Sequence, residues 1–155
     1  TDGTLDCITS DHCGYTIESK TRGKIDIWRA PNGLSGVQTL LPGVISEARA
    51  RGYSWPRIAE LTATAPARLW HLAPRKGSIQ VGADADFAFI DSDASWTVTN
   101  DDLLHTHQWT PFAGRELTGR VVRTMLRGQT IYDDAHPERV TVPAGFGEFL
   151  AANVG

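Results

Sequence analysis

The stretch Leu5-Asp6-Cys7-Ile8-Thr9-Ser10-Asp11-His12 decides the reading of this chain. Its first five residues are mostly apolar and rich in β-formers, and a polar cluster follows with no spacer. That order predicts a strand over 5–9 with Ser10, Asp11 and His12 at its C-terminal mouth, where α/β barrels carry their chemistry. A carboxylate in that place can ligate a divalent metal or accept the proton of an activated water. The same residues also make an ordinary turn or helix cap, and spacing alone favours that plainer reading.

Downstream, Gly14, Gly23 and Pro31 among mixed charges predict a loop from Cys13 to Pro31. Val37, Leu40, Leu41, Val44, Ile45 and Ala48 then recur at offsets of three and four, the buried stripe of a helix ending near Arg51-Gly52. Ser54 is a good N-cap and Pro56 falls in the first turn, so a short helix is predicted from Trp55 to Leu61. Thr64 with Pro66 repeats the device and predicts a separate helix through Ala67, Leu69 and Trp70. After Pro74 the texture turns to β. Ala85 to Asp91 reads as a buried strand and Trp96-Thr97-Val98-Thr99 as a short one. Gly119 to Leu126 and Gln129 to Tyr132 read as a hairpin across Arg127-Gly128. The boundary between helical and β parts falls near residue 73.

The totals narrow the classes. At 155 residues, 41% hydrophobic and 21% charged, the chain is globular rather than disordered. Its net charge of -3 is scattered along the chain. With no basic block and no long apolar run, neither nucleic acid nor membrane is expected as a partner. The polar, acidic start Thr1-Asp2-Gly3-Thr4 is unlike a signal peptide. Cys7 and Cys13 belong to no CxxC pair and read as reduced thiols of a cytoplasmic protein.

Two further clusters invite a metal. His105 and His107 form an HxH pair whose alternation puts both imidazoles on one side of an extended segment. It lies in a polar stretch far from Asp11 in sequence and just before Thr110-Pro111, which favours a surface or packing role. Asp84, Asp86 and Asp91 read more simply as a turn leading into a strand. The nucleophile elbow, the phosphate loop, the dinucleotide fingerprint and HExxH are all missing. The five tryptophans, spread from Trp28 to Trp109, read as packing or interface residues.

Taken in order, several segments resemble the cyclic-amidohydrolase branch of the amidohydrolase superfamily, the hydantoinase, dihydropyrimidinase, allantoinase and dihydroorotase group. Asp6 to Cys13 is similar to the end of that family's eighth barrel strand. Pro31-Asn32-Gly33-Leu34-Ser35-Gly36-Val37-Gln38 is similar to its substrate loop leading into the eighth helix. Thr64-Ala65-Pro66-Ala67-Arg68-Leu69 resembles the helix that closes the barrel. Leu72 to Ile79 with Val81 to Asp86 resembles the return into a small β-sandwich. Thr110-Pro111-Phe112, Gly114-Arg115, Gly119 and Arg127-Gly128 match its closing hairpin region. The similarity covers about residues 4 to 134. Cys13 resembles the hydantoinase and dihydropyrimidinase versions, whereas Leu104 to Gly114 looks more like allantoinase.

The resemblance implies an α/β fold. This chain would be the C-terminal fragment of a (β/α)8 TIM barrel, its last βα unit and closing helices, plus the C-terminal part of the small β-sandwich. Residues 1–72 would end the barrel, 73–134 would belong to the sandwich and 135–155 would form a tail that packs on a neighbouring subunit. It implies metal-assisted opening of a cyclic amide or imide of hydantoin, allantoin or dihydropyrimidine type. Asp11 would be both a metal ligand and the catalytic acid/base, and Asn32 and Gly33 would bind the substrate's ring amide. His12 would adjoin the site without ligating. The cofactor would be a divalent metal, zinc, in a binuclear site. The family's remaining ligands, an HxH pair, a carboxylated lysine and two histidines, would lie before residue 1. The isolated chain is then expected to be inactive, its partners being the rest of the same protein and further copies in a homo-oligomer. The alternative is a non-catalytic scaffold or assembly module built on the same fold.

Overall fold

In the computed structural model, which describes residues 3–152, chemistry-bearing loops precede a helical layer and a small sheet closes the chain. Helix α1 (Ile17–Thr21) and two 3-10 turns, Arg22–Lys24 and Ile27–Arg29, occupy the span read as a loop. Helix α2 (Val37–Ala50) follows the predicted stripe and carries Pro42 inside it, buried together with Thr39 and Ile45. The sheet has strand order β1-β2-β3, with β1 Phe87–Thr97, β2 Glu116–Leu126 and β3 Gln129–Asp133, all antiparallel.

Three expectations need correction. The first is the strand over 5–9. That segment forms no regular element and joins no sheet, and its Ile8 N–H donates instead to the Leu61 carbonyl at 2.9 Å. A strand is defined by a neighbour to pair with, and the described residues offer none there. The second is the separate helix opened by Thr64. Helix α3 (Trp55–Ala59) starts on the Ser54 cap as predicted, but runs through a π-turn at Glu60–Thr64 straight into α4 (Ala65–Leu69). Thr64 is in helical conformation and its hydroxyl donates to Gly77 O at 2.8 Å. Pro66 is the cause. In the wider π register its absent N–H leaves the Leu61 carbonyl open, and that is the carbonyl Ile8 takes.

The third concerns the β part. The two predicted strands Ala85–Asp91 and Trp96–Thr99 are one strand, β1, with a register shift between Asp91 and Ser95. Asp91 makes that bulge, its carboxylate accepting the N–H groups of Asp93 and Ala94. The hairpin turn stands as read. Arg127 and Gly128 both have positive φ, 50° and 81°, as a two-residue primed turn requires. The segment 140–146 folds back on its own chain. Val140 bridges Tyr132, Thr141 bonds to β3 through both its N–H and its hydroxyl, and Arg127 covers the Phe146 ring.

Asp84 and Asp86 are ion-pair partners rather than a metal cluster. Lys76 reaches Asp84 at 2.8 Å and also bonds Asp86, while Arg75 meets Asp84 at 2.9 Å. The hydrogen bond from Lys76 holds the Asp84 carboxyl below the usual carboxylate range, against partial desolvation. Burial works to lower the Lys76 value, but its bonds to the two carboxylates outweigh it and the net shift is upward. A depressed carboxylate contributes stability above its unfolded pKa and loses it as pH falls through the folded one. A raised lysine contributes below its unfolded pKa and loses it as pH rises through the folded one. The junction is therefore firmest between roughly pH 4 and pH 10. Urea midpoints followed from about pH 7 down to about pH 3 should fall, and Asp84→Asn should flatten that part of the curve.

Candidate active site

Asp11 follows the segment 5–10 with φ of 45°, a conformation that Asp and Asn tolerate better than most residues. Its side chain is exposed and bonds to no other described residue. The next residues are stitched to the substrate-loop candidates. His12 forms a parallel bridge with Leu34, and the Cys13 N–H donates to Leu34 O at 3.0 Å. His12 Nδ1 accepts the backbone N–H groups of Gly36, at 3.2 Å, and Val37, at 3.3 Å. It therefore caps α2, whose own N-cap is a glycine with nothing to offer. Nδ1 as acceptor leaves the ring proton on Nε2.

Gly33 fits this contact because it has no side chain. Its φ is 82°, and a Cβ there would stand 2.6 Å from Cys13 Cβ and 3.2 Å from Asp11 O. Asn32, one residue earlier, is exposed and makes no hydrogen bond to a described residue. Asp11, Asn32 and Gly33, distant in sequence, thus share one small surface.

The HxH pair is nearer than its position in the chain suggests. The His105 ring lies 5.9 Å from the His12 ring, edge to face, and His107 packs against Gly14. Burial depresses the His105 pKa, with His12 and His107 adding to it, and its Nδ1 is buried without a partner. The same segment is anchored by Trp109 Nε1 donating to Tyr15 O at 2.6 Å and by the Thr110 hydroxyl donating to Ser35 O at 3.0 Å. Packing is what these histidines do. Among the described residues, no group of three or more His, Cys, Asp or Glu is placed to hold a metal ion.

No family model matches the chain. Known proteins do. An L-hydantoinase of Paenarthrobacter aurescens is 37% identical over 149 residues, 96% of this chain and 32% of that protein. The allantoinase of Escherichia coli (strain K12 / DH10B) is 39% identical over 132 residues, 84% of this chain and 28% of its own. The solved L-hydantoinase (dihydropyrimidinase) of Arthrobacter aurescens superposes with a TM-score of 0.87 at 36% identity, over 97% of this chain and 33% of that one. The chain is homologous to one segment of hydantoinases and allantoinases. It spans about a third of the length of these relatives.

Within this hydantoinase-like segment, two parts of the site escape the sequence. His12 reads there as a bystander, yet it caps α2 and ties Asp11 to the loop. Lys20, one of several charges in a supposed loop, holds that loop through the Pro31 and Gly33 carbonyls. Its i to i+11 reach has no signature in spacing.

Proposed function

We propose that this chain is the part of a cyclic-amide hydrolase that carries the acid/base carboxylate and the clamp for the ring amide. One observation carries the reading. An exposed, unpaired Asp11 is held in backbone contact with Gly33, beside an Asn32 whose polar groups are free. The parent fold in this reading is a (β/α)8 barrel with a small sandwich, residues 1–72 ending the barrel, 73–134 entering the sandwich and 135–155 forming the tail. Exposed apolar side chains support a larger body. Ile79 and Val81 are open to solvent, and Trp55, Trp70 and Phe87 line a cleft of about 920 Å³ between helices and sheet. The rest of the protein, and further copies in an oligomer, would cover these faces. Both cysteines are free thiols, which supports a reducing, cytoplasmic setting.

The metal implied by the family fits Asp11 as one ligand, since an exposed carboxylate offers a hard oxygen donor. The other ligands would come from outside the described residues, and for that reason the isolated chain is read as inactive. A bound divalent ion supplies water that ionises near neutral pH. Asp11 takes the proton from the attacking water and returns it to the departing ring nitrogen. Asn32 holds the ring amide through its backbone N–H and C=O, and Gly33 allows the close approach. The bond broken is the ring C–N bond, and water supplies the hydroxyl of the new carboxylate and the hydrogen of the freed nitrogen.

The test is to assay the full-length protein that carries this segment against hydantoin, allantoin and dihydrouracil. Ring opening of one of them, seen as loss of ring absorbance and gain of carboxylate, is expected. Failure on all three by folded, metal-loaded protein would leave the scaffold reading in its place.

A further inference from the structure

We propose that Lys20 is a positioning residue for the ring-amide clamp, acting by aiming the Asn32 N–H. This rests on the ring-amide reading above. Lys20 stands in the last turn of α1, half-buried, its ammonium 5.3 Å from the Tyr15 ring centroid. It donates to the carbonyls of Pro31 and Gly33, the residues on either side of Asn32. The main chain of Tyr15 is in turn anchored by Trp109, whose indole N–H donates to its carbonyl.

Peptide planarity does the rest. The only cis peptide among the described residues is Ala73-Pro74, so the Pro31-Asn32 bond is trans. In a trans peptide the C=O and the following N–H point in opposite directions. Drawing the Pro31 carbonyl toward the ammonium turns the Asn32 N–H away from it, and drawing the Gly33 carbonyl fixes the far side of the same turn. The Asn32 N–H, turned away from the ammonium, and the Asn32 C=O bond to no described residue, which leaves a donor and an acceptor to meet the acceptor and donor of a ring amide. A cation on the Pro31 oxygen also polarises that peptide and strengthens the N–H as a donor. A lysine spent on two main-chain carbonyls has no surface ion-pair role to explain it, since no carboxylate among the described residues bonds to it. The ligand class is a five- or six-membered ring carrying an amide or imide.

The test uses full-length protein with Lys20→Met and Lys20→Arg, and hydantoin as the probe. Lys20→Met is expected to raise KM by about 10- to 100-fold with kcat changed by less than about 3-fold, because the clamp binds ground state and transition state alike. Lys20→Arg, which keeps the charge and the donors, is expected to restore KM to within about 5-fold of the original. Independently of turnover, the calorimetric Kd of hydantoin for metal-stripped protein should rise in Lys20→Met by the same factor as KM. If Lys20→Met does not fold, Lys20→Gln, which drops the charge but keeps donors, takes its place. Unmoved KM and Kd in folded Lys20→Met, or in Lys20→Gln where it takes its place, overturn the proposal, and so does a fall confined to kcat. Absence of hydantoin binding and turnover in the unsubstituted protein overturns the ring-amide reading itself, a result distinct from both.

Discussion

Replacing Asp11 by Asn in the full-length protein is expected to lower kcat for ring opening by about 10³-fold, within the range ascribed to a positioned acid/base. Asparagine is the informative choice. It is nearly isosteric, and it tolerates the left-handed φ of 45° that Asp11 adopts, so the turn into His12 should survive. Alanine would mix loss of chemistry with backbone strain. The Asp11 side chain bonds to no described residue, so folding stability should change by no more than ~0.5 kcal/mol, as for surface substitutions elsewhere. Two measurements read the result: steady-state rates on the best ring substrate, and metal content of the same sample. Activity lost with stability kept supports the assignment, and a drop in bound metal assigns Asp11 to the ligand role as well. Activity retained within about 10-fold would remove Asp11 from the mechanism, since an acid/base is worth at least about 10².

What can be read from the sequence divides along a physical line. Helix α2 is legible because its stripe, Val37 through Ala48, is local and periodic. The hairpin is legible because Arg127-Gly128 is a turn that carries its own backbone requirement. The π-turn is not, because Thr64-Ala65-Pro66 looks like a helix start whether or not a helix already precedes it. The choice is made by the Leu61 carbonyl finding Ile8, a contact between segments far apart in the chain. The same holds at the candidate site. Asp11 draws attention through its place after an apolar run, and Asn32-Gly33 through family likeness. The contacts that join them, from His12 to the start of α2 and from Lys20 to the loop carbonyls, depend on how two loops meet. The histidine pair shows the opposite error. Sequence distance suggests separation from Asp11, and folding lays His105 against His12.

Gly119→Ala is expected to destabilise the fold by about 3 kcal/mol. Gly119 is where β2 meets α2. Its φ is 96°, and a Cβ there would stand 2.7 Å from Cγ2 of Ile45, which is 1% exposed and so has nowhere to go. The carbonyl of the same residue accepts the Trp96 indole N–H at 3.2 Å, and the neighbouring Thr118 N–H donates to the Ser46 hydroxyl at 3.1 Å. Moving β2 away to make room would therefore break the bonds that seat the helix on the sheet. Two costs add, overpacking of ~1–3 kcal/mol and a strained backbone of similar size. Gly43 is the internal control. It lies within α2, where an added methyl would meet open space and φ is not positive, so Gly43→Ala should instead stabilise by about 0.5–1 kcal/mol. Denaturant midpoints of the two variants should move in opposite directions. A double-mutant cycle with Ile45→Ala locates the cause. If the methyl collides with Ile45, the two losses will fall short of additive by more than about 0.5 kcal/mol, whereas full additivity would place the cost in the backbone alone.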